Sequence, residues 1–247
     1  MKKFNFFFLF LIFSSLKAFG QDSNLLKIGY FDIKPFSYYD EKKRKDTGII
    51  LEFLKEKILT FKNKKIVFQQ YPLSRVLTEL NLNKIDAIAF LAKTKEREKN
   101  FNYTKTPIYT SNSFMTFLKT SPINYIKNIE DIKNETIGIG QHAALCDFLE
   151  KNRDQLTFEE SSAENYNIVL INKLLFNRIS AAYTYLPDSL YYEAKKSNTL
   201  KQLKFIKIPE SPVSVYFVLS KNFIPKEQDL IEKNLKNNHL LYKPEFN

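Results

Sequence analysis

Residues 65–91 read KIVFQQYPLSRVLTELNLNKIDAIAFL, and the order of elements in this stretch decides the fold class. An apolar run at 65–71, with β-branched Ile66 and Val67, reads as a strand that stops at Pro72. Residues 73–83 read as an amphipathic helix. Residues 86–91 read as a second strand with no polar side chain after Asp86, the pattern of a strand buried on both faces. Strand, helix and strand in so short a span imply parallel pairing through a right-handed crossover.

The alternation extends in both directions. Residues 26–31 predict an earlier strand, and 48–60 a helix with Ile50, Phe53, Leu54 and Ile58 on one face. Residues 111–119 predict a strand that ends at Ser121-Pro122, after which a second series begins. It has strands at 136–140, 157–160 and 180–185, and helices at 143–152, 164–176 and 187–196. A long strand at 213–220, bounded by Pro212 and Pro225, precedes a helix at 226–237. The expected architecture is α/β with two lobes, 21–112 together with 213–247, and 113–212. A single nine-strand sheet is the alternative, and the proline-marked joints argue against it.

The first twenty residues read as a cleavable leader. Lys2 and Lys3 precede an apolar stretch at 4–13 broken only by Asn5, and Ala18-Phe19-Gly20 supplies a small-x-small cleavage site before Gln21. A spanning helix needs about 20 apolar residues, more than this stretch holds. No cysteine lies near the cleavage point, so a lipid anchor is not expected and the periplasm is the expected compartment. Removing 20 of the 247 residues leaves 227, and losing Lys2, Lys3 and Lys17 lowers the formal charge from +11 to +8. The lysines are scattered, and the densest run, Lys42-Lys43-Arg44-Lys45, sits in a polar turn. Nucleic-acid binding is therefore not expected. With no second long apolar run, the mature chain is expected to be a soluble monomer without stable membrane insertion. Cys146 is the single cysteine and reads as a packed thiol; a nucleophilic role would need His142 as its activator. His142 and His239 have no metal-ligand spacing, so neither a metal site nor a cofactor is expected.

An ordered set of short motifs carries a resemblance over residues 26–222. Ile28-Gly29-Tyr30, Lys34-Pro35-Phe36-Ser37-Tyr38, Thr47-Gly48 and Lys84-Ile85-Asp86-Ala87-Ile88 come first, with Asn83 where a glycine is usual. Thr94-Lys95-Glu96-Arg97, Phe101, Thr106-Pro107-Ile108-Tyr109, Ile129-Glu130-Asp131-Ile132 and Ile137-Gly138-Ile139 follow. In this the chain resembles the extracellular solute-binding proteins of family 3, the polar amino acid type that serves ABC importers. Tyr71-Pro72-Leu73-Ser74-Arg75 is similar to a segment of a divergent branch of that family. The resemblance implies a type II periplasmic-binding-protein fold, in which two lobes joined by two crossing strands (near 111–119 and 213–220) close on a solute.

The resemblance also implies site residues. Arg97 would fork onto a solute carboxylate, a task its planar charged donors suit, with Thr94 assisting by its hydroxyl or by backbone N–H. The competing reading of Arg97 is a surface side chain in a highly charged segment. Phe36, Tyr38 or Tyr30 would wall the pocket, or Phe36 would belong to the core. Arg75 either reaches the cleft or pairs with Glu79 four residues on. Gln141 and His142 stand at a strand-to-helix turn in the second lobe, where His142 could equally be a satisfied helix-start residue. Tyr185 stands where the family places the carboxylate that holds an α-ammonium, so a free α-amino acid fits poorly and a carboxylate-bearing or otherwise anionic solute fits better.

Three functions follow. The leading one is a periplasmic receptor for a small polar or anionic solute, partnered by an ABC permease. The second is an enzyme on the same fold, a dehydratase or hydrolase, which would need His142 paired with Glu96 or Glu98. The third is a sensory module acting in trans on a membrane partner. A non-enzymatic binder is the expectation.

Overall fold

The computed structural model describes residues 24–210 and 212–242, so the expected leader at 1–20 lies outside the described residues. In chain order the elements are β1 (Leu25–Tyr30), β2 (Tyr38–Asp40), β3 (Lys45–Thr47), α1 (Ile49–Phe53), β4 (Lys65–Gln70), α2 (Leu73–Asn81) and β5 (Ala87–Ala92). There follow α3 (Lys95–Asn100), β6 (Asn102–Tyr103), β7 (Tyr109–Ser111), β8 (Phe114–Leu118), β9 (Thr136–Gly140), α4 (Asp147–Lys151), β10 (Thr157–Ser161) and α5 (Tyr166–Leu175). The chain ends with β11 (Ala181–Tyr183), α6 (Pro187–Lys196), β12 (Leu203–Lys207), β13 (Val213–Leu219) and α7 (Pro225–Asn237).

Two sheets organise these elements. The first runs β4-β1-β5-β13-β6, with β7 also paired to β13. β1 pairs parallel with β4, from Leu25 opposite Lys65 to Tyr30 opposite Gln70, and parallel with β5. Every residue of β5 is buried, as its apolar run predicts. β13 returns antiparallel to β5, with an irregularity between Tyr216 and Val218. The second sheet runs β10-β9-β11-β8-β12, parallel from β10 to β11 and antiparallel at β8 and β12. Its two faces bury separate clusters. Ala181 and Tyr183 of β11 pack with Met115, Phe117 and Ile137, while the intervening Ala182 packs with Leu170, Leu174 and Leu190. That division is the two-residue period of a strand buried on both sides.

Sheet membership supports the lobe limits expected above, 21–112 with 213–247 and 113–212, which we propose as the domain division. The strand expected at 111–119 is two strands in different sheets: β7 pairs with β13, and β8 with β11 and β12. Asn112 and Ser113 make the switch, so no single ladder could hold the whole stretch. The helix expected at 143–152 is confined to Asp147–Lys151. Ahead of it the Ala143 N–H donates to the Gly140 carbonyl and His142 adopts φ 59°, a turn that an α-helix cannot start through. β2, β3 and β12 are three strands that the sequence concealed, the first two by their largely polar composition and β12 by its short alternation.

Gly48 opens α1 with φ 126°, and a Cβ there would stand 2.4 Å from the Phe36 carbonyl oxygen. The backbone is close because the N–H groups of Ile49 and Ile50 donate to the carbonyls of Pro35 and Phe36. Gly138 is needed for packing: a Cβ would lie 2.5 Å from Ile179 Cδ1 and 2.7 Å from Leu170 Cδ2.

Where the lobes meet, Asp188 in the first turn of α6 is 1% exposed. It accepts from the Tyr109 hydroxyl at 3.1 Å and from Ser111 at 3.5 Å, and the Tyr242 phenol also donates to it. Burial raises its carboxyl pKa above the ordinary value, and these hydroxyl donors only partly oppose the shift.

Two outcomes are expected. Gly48→Ala should lower stability by about 1–3 kcal/mol, read as a lower urea midpoint; an unchanged midpoint would show that the chain relaxes freely at this turn. For Asp188, the native state keeps its proton to a higher pH than the unfolded chain. Stability must therefore fall as pH rises above the ordinary carboxylate range, by at most about 1.4 kcal/mol per pH unit. Asp188→Asn should shallow that slope in urea titrations at graded pH, and an identical slope would assign the effect to other groups.

Candidate functional site

The C-terminal ends of β1 and β5 face those of β9 and β11, and the loops leaving them enclose a cleft between the sheets. In open parallel sheets this edge is where ligands bind. Three adjoining cavities occupy the region. The outer one, about 40 Å³, lies among Phe31, Asp32, Leu73, Gln141, His142 and Glu164. The inner one, also about 40 Å³, shares Phe31 and Leu73 with it and adds Phe90, Arg97, Ala144 and Tyr185. Each has room for about two or three waters. A third cavity of about 580 Å³ lies beyond Tyr185, toward Lys93, Glu210 and Tyr216.

Arg97 dominates the inner cavity. Thr94 caps α3 by accepting the Arg97 N–H at its Oγ1 (3.2 Å), which fixes the helix start that aims the side chain. Arg97 is 9% exposed, so the surface reading of this residue fails. Its Nη1 donates to the Ala92 carbonyl at 3.1 Å, and its Nη2 crosses the cleft to the His142 carbonyl at 2.6 Å. Burial lowers its pKa, opposed by the nearby Tyr103 and Tyr185 phenols, yet a guanidinium stays charged. Among the described residues Arg97 makes no ion pair. A second bond across the cleft runs from Gln70 Nε2 to Glu164 Oε1 at 2.8 Å.

The other expected site residues divide. Gln141 and His142 line the outer cavity, and the unusual backbone of His142 directs its carbonyl to Arg97. Tyr185 forms the partition between the inner and third cavities; burial pushes its phenol up to about 12, so it is a neutral donor, bonded to the Ser214 carbonyl at 3.4 Å. Phe36 is fully buried in the first lobe, its ring 5.3 Å from Tyr109 and 5.7 Å from Tyr242, and it lines none of the three cavities. Tyr38 lies on β2 with the Lys34 ammonium 5.6 Å from its ring centre, also away from the cavities. Tyr30 is buried and donates to Asp46 Oδ1 at 2.5 Å. Arg75 points to solvent and pairs with Glu79 at 2.6 Å, the alternative its spacing offered. Cys146 is a buried thiol that burial pushes up to about 12, which makes it a poor nucleophile.

Sequence reasoning did not single out Phe31, Asp32, Leu73, Lys93, Glu164 and Tyr166. Phe31 and Asp32 directly follow β1, so the rule that ligands sit beyond strand C-termini could have found them. Asp32 and Glu164 bring two carboxylates to the outer cavity, which Tyr185 does not line. Burial raises the Asp32 pKa, Lys34 at 3.3 Å lowers it, and Glu164 raises it further. Glu164 is held only by a bond to a residue distant in sequence, so no local motif marks it.

The chain and its fold are similar to known proteins. The description of bacterial extracellular solute-binding proteins, family 3, fits residues 26–237. The L-cystine-binding protein TcyJ of Bacillus subtilis (strain 168) is 31% identical over 106 residues, a stretch that spans 42% of this chain and 39% of that protein. Among solved structures, an ancestral arginine-binding protein bound to arginine superposes with a TM-score of 0.71 at 19% identity, covering 87% of this chain and 92% of that one. A structure from work on glutathione import through GshT and the cystine importer TcyBC of Streptococcus mutans gives 0.71 at 22% identity, covering 87% and 88%. The fold is the two-lobed type II periplasmic-binding-protein fold, and the chain belongs to the bacterial extracellular solute-binding proteins, family 3.

Proposed function

We propose that this protein captures a small carboxylate-bearing solute in the periplasm by closing its two lobes, and hands it to an ABC permease. The observation that carries the reading is the buried Arg97 guanidinium, a cation facing a cavity between the lobes without a carboxylate partner among the described residues. Backbone carbonyls offset part of its desolvation, and an anion offsets far more. A solute carboxylate at this point is the missing counter-charge. It also couples occupancy to closure, because the same guanidinium reaches the His142 carbonyl of the other lobe.

The surroundings constrain the rest of the solute. Beside Arg97 the walls are Phe90, Ala144, Tyr185 and Leu186, so an ammonium adjacent to the bound carboxylate meets phenol and aliphatic groups. The cleft carboxylates, Asp32 and Glu164, belong to the outer cavity. A compact α-amino acid is therefore disfavoured relative to a solute with no cation beside its carboxylate. The enzyme reading has less support: His142, Glu96 and Glu98 are all exposed, and among the described residues no hydrogen bond joins the His142 ring to either carboxylate.

Calorimetry and thermal shift with a panel of monocarboxylates and common amino acids test the proposal. Arg97→Met should remain folded and lose about 2–5 kcal/mol of affinity for a carboxylate that binds the parent, roughly 30-fold or more. Unchanged affinity would remove Arg97 from the site. Tight binding of an ordinary α-amino acid in preference to its deaminated analogue would overturn the assigned solute class.

A further inference from the structure

Beyond the Tyr185 partition lies the large cavity, and its contents differ from those of the cleft proper. At about 580 Å³ it falls within the range that holds small-molecule ligands, whereas the Arg97 cavity does not. Its walls come from both lobes and from the return segment: Lys93 follows β5, Cys146 and Phe148 lie around α4, and Glu210, Ser214 and Tyr216 precede or lie on β13.

Lys93 is the feature the fold does not otherwise explain. Its ammonium stands 4.0 Å from the Tyr216 ring centre and 5.6 Å from that of Tyr103. Among the described residues it makes no ion pair and donates no hydrogen bond. Tyrosine faces hold a cation without neutralising it. Of the other charges of the cavity, Lys151 makes a solvent-exposed pair with Asp147 at 3.6 Å, and Glu210 accepts from the Ser113 hydroxyl and from the Phe148 N–H. Lys93 is thus the cation of the lining with no carboxylate partner among the described residues.

The two cations flank one structure. Lys93 lies over Tyr103, whose hydroxyl donates to the Ala92 carbonyl at 3.2 Å, and the same carbonyl accepts from Arg97 Nη1. Tyr185 borders both chambers, and its hydroxyl has a single long bond, 3.4 Å, to the Ser214 carbonyl. Its ring packs against the cores of both lobes, so joining the two spaces requires that packing to shift as well as the one long hydrogen bond to break.

Building on the Arg97 reading, we infer that the solute is a dicarboxylate, with one carboxylate on Arg97 and the second in the chamber beyond Tyr185 on Lys93. Lys93 is then a specificity-determining residue. Arg97 recognises the first carboxylate by its planar fork, and Lys93 recognises the second as a point charge over an aromatic surface.

The test is calorimetry on the purified full chain with straight-chain α,ω-dicarboxylates from succinate to suberate, each beside the monocarboxylate of equal length. One dicarboxylate length should bind at least tenfold tighter than its monocarboxylate. Lys93→Met should remove that advantage while changing monocarboxylate affinity less than twofold and leaving the ligand-free melting temperature in place. Lys95→Met, at an exposed neighbouring lysine, controls for long-range charge. The inference is overturned if no dicarboxylate exceeds its partner, if Lys93→Met weakens both equally or neither, or if Lys95→Met has the same effect. Binding of monocarboxylates without a dicarboxylate advantage overturns the inference alone; failure of both classes to bind overturns the Arg97 reading with it.

Discussion

The antiparallel pairing of β13 with β5 is the constraint on which the architecture rests. β5 is buried along its whole length, so both its edges and both its faces must be covered. One edge takes β1, and the other takes a strand that the chain supplies only after building the second lobe. The first sheet is therefore incomplete until residues 213–219 return, and the second lobe hangs from two tethers: the switch at Asn112–Ser113 and the segment before β13. The strand ends of the two sheets, and the loops beyond them, meet at one gap, which is where the candidate site lies.

The sequence carried most of this because parallel strands are legible when both faces are apolar. Residues 86–91 and 136–140 announce themselves by composition, and Pro187 and Pro225 mark true helix starts. Strands whose identity is settled by partners stayed hidden. β12, LKFIK, alternates too briefly to be told from a loop, and is a strand because β8 has an open edge beside it. The β2–β3 hairpin consists largely of polar residues and exists by pairing alone. The length of the helix after β9 was misread because Ala143, Ala144 and Leu145 have helical composition, whereas the turn at His142 depends on a backbone angle that composition does not encode.

The site divides along the same line. Arg97 and Thr94 are legible because cap and charge lie within one turn of one helix. Arg75 and Phe36 have suitable chemistry in the right motifs, yet a nearby Glu79 and a crowded aromatic core claim them. Glu164 and Lys93 illustrate the converse: each acquires meaning from a partner far away in the chain, Gln70 in one case and the Tyr216 ring in the other. Short motifs report what a segment can offer, and tertiary packing decides whether the offer remains open.

Arg97 unites these considerations, because it is committed and available at once. A guanidinium has five N–H donors, and the two bonds to the Ala92 and His142 carbonyls use two of them. A solute carboxylate can therefore be received without breaking the bond that ties the lobes together. In the proposed function, occupancy and closure are coupled because one guanidinium holds the anion on some of its donors while another donor spans the cleft. A lysine at this position, with three donors, would have one left after the same two bonds and could not form a fork. In the proposed function one side chain both receives the carboxylate and spans the cleft, and arginine has the donors for both.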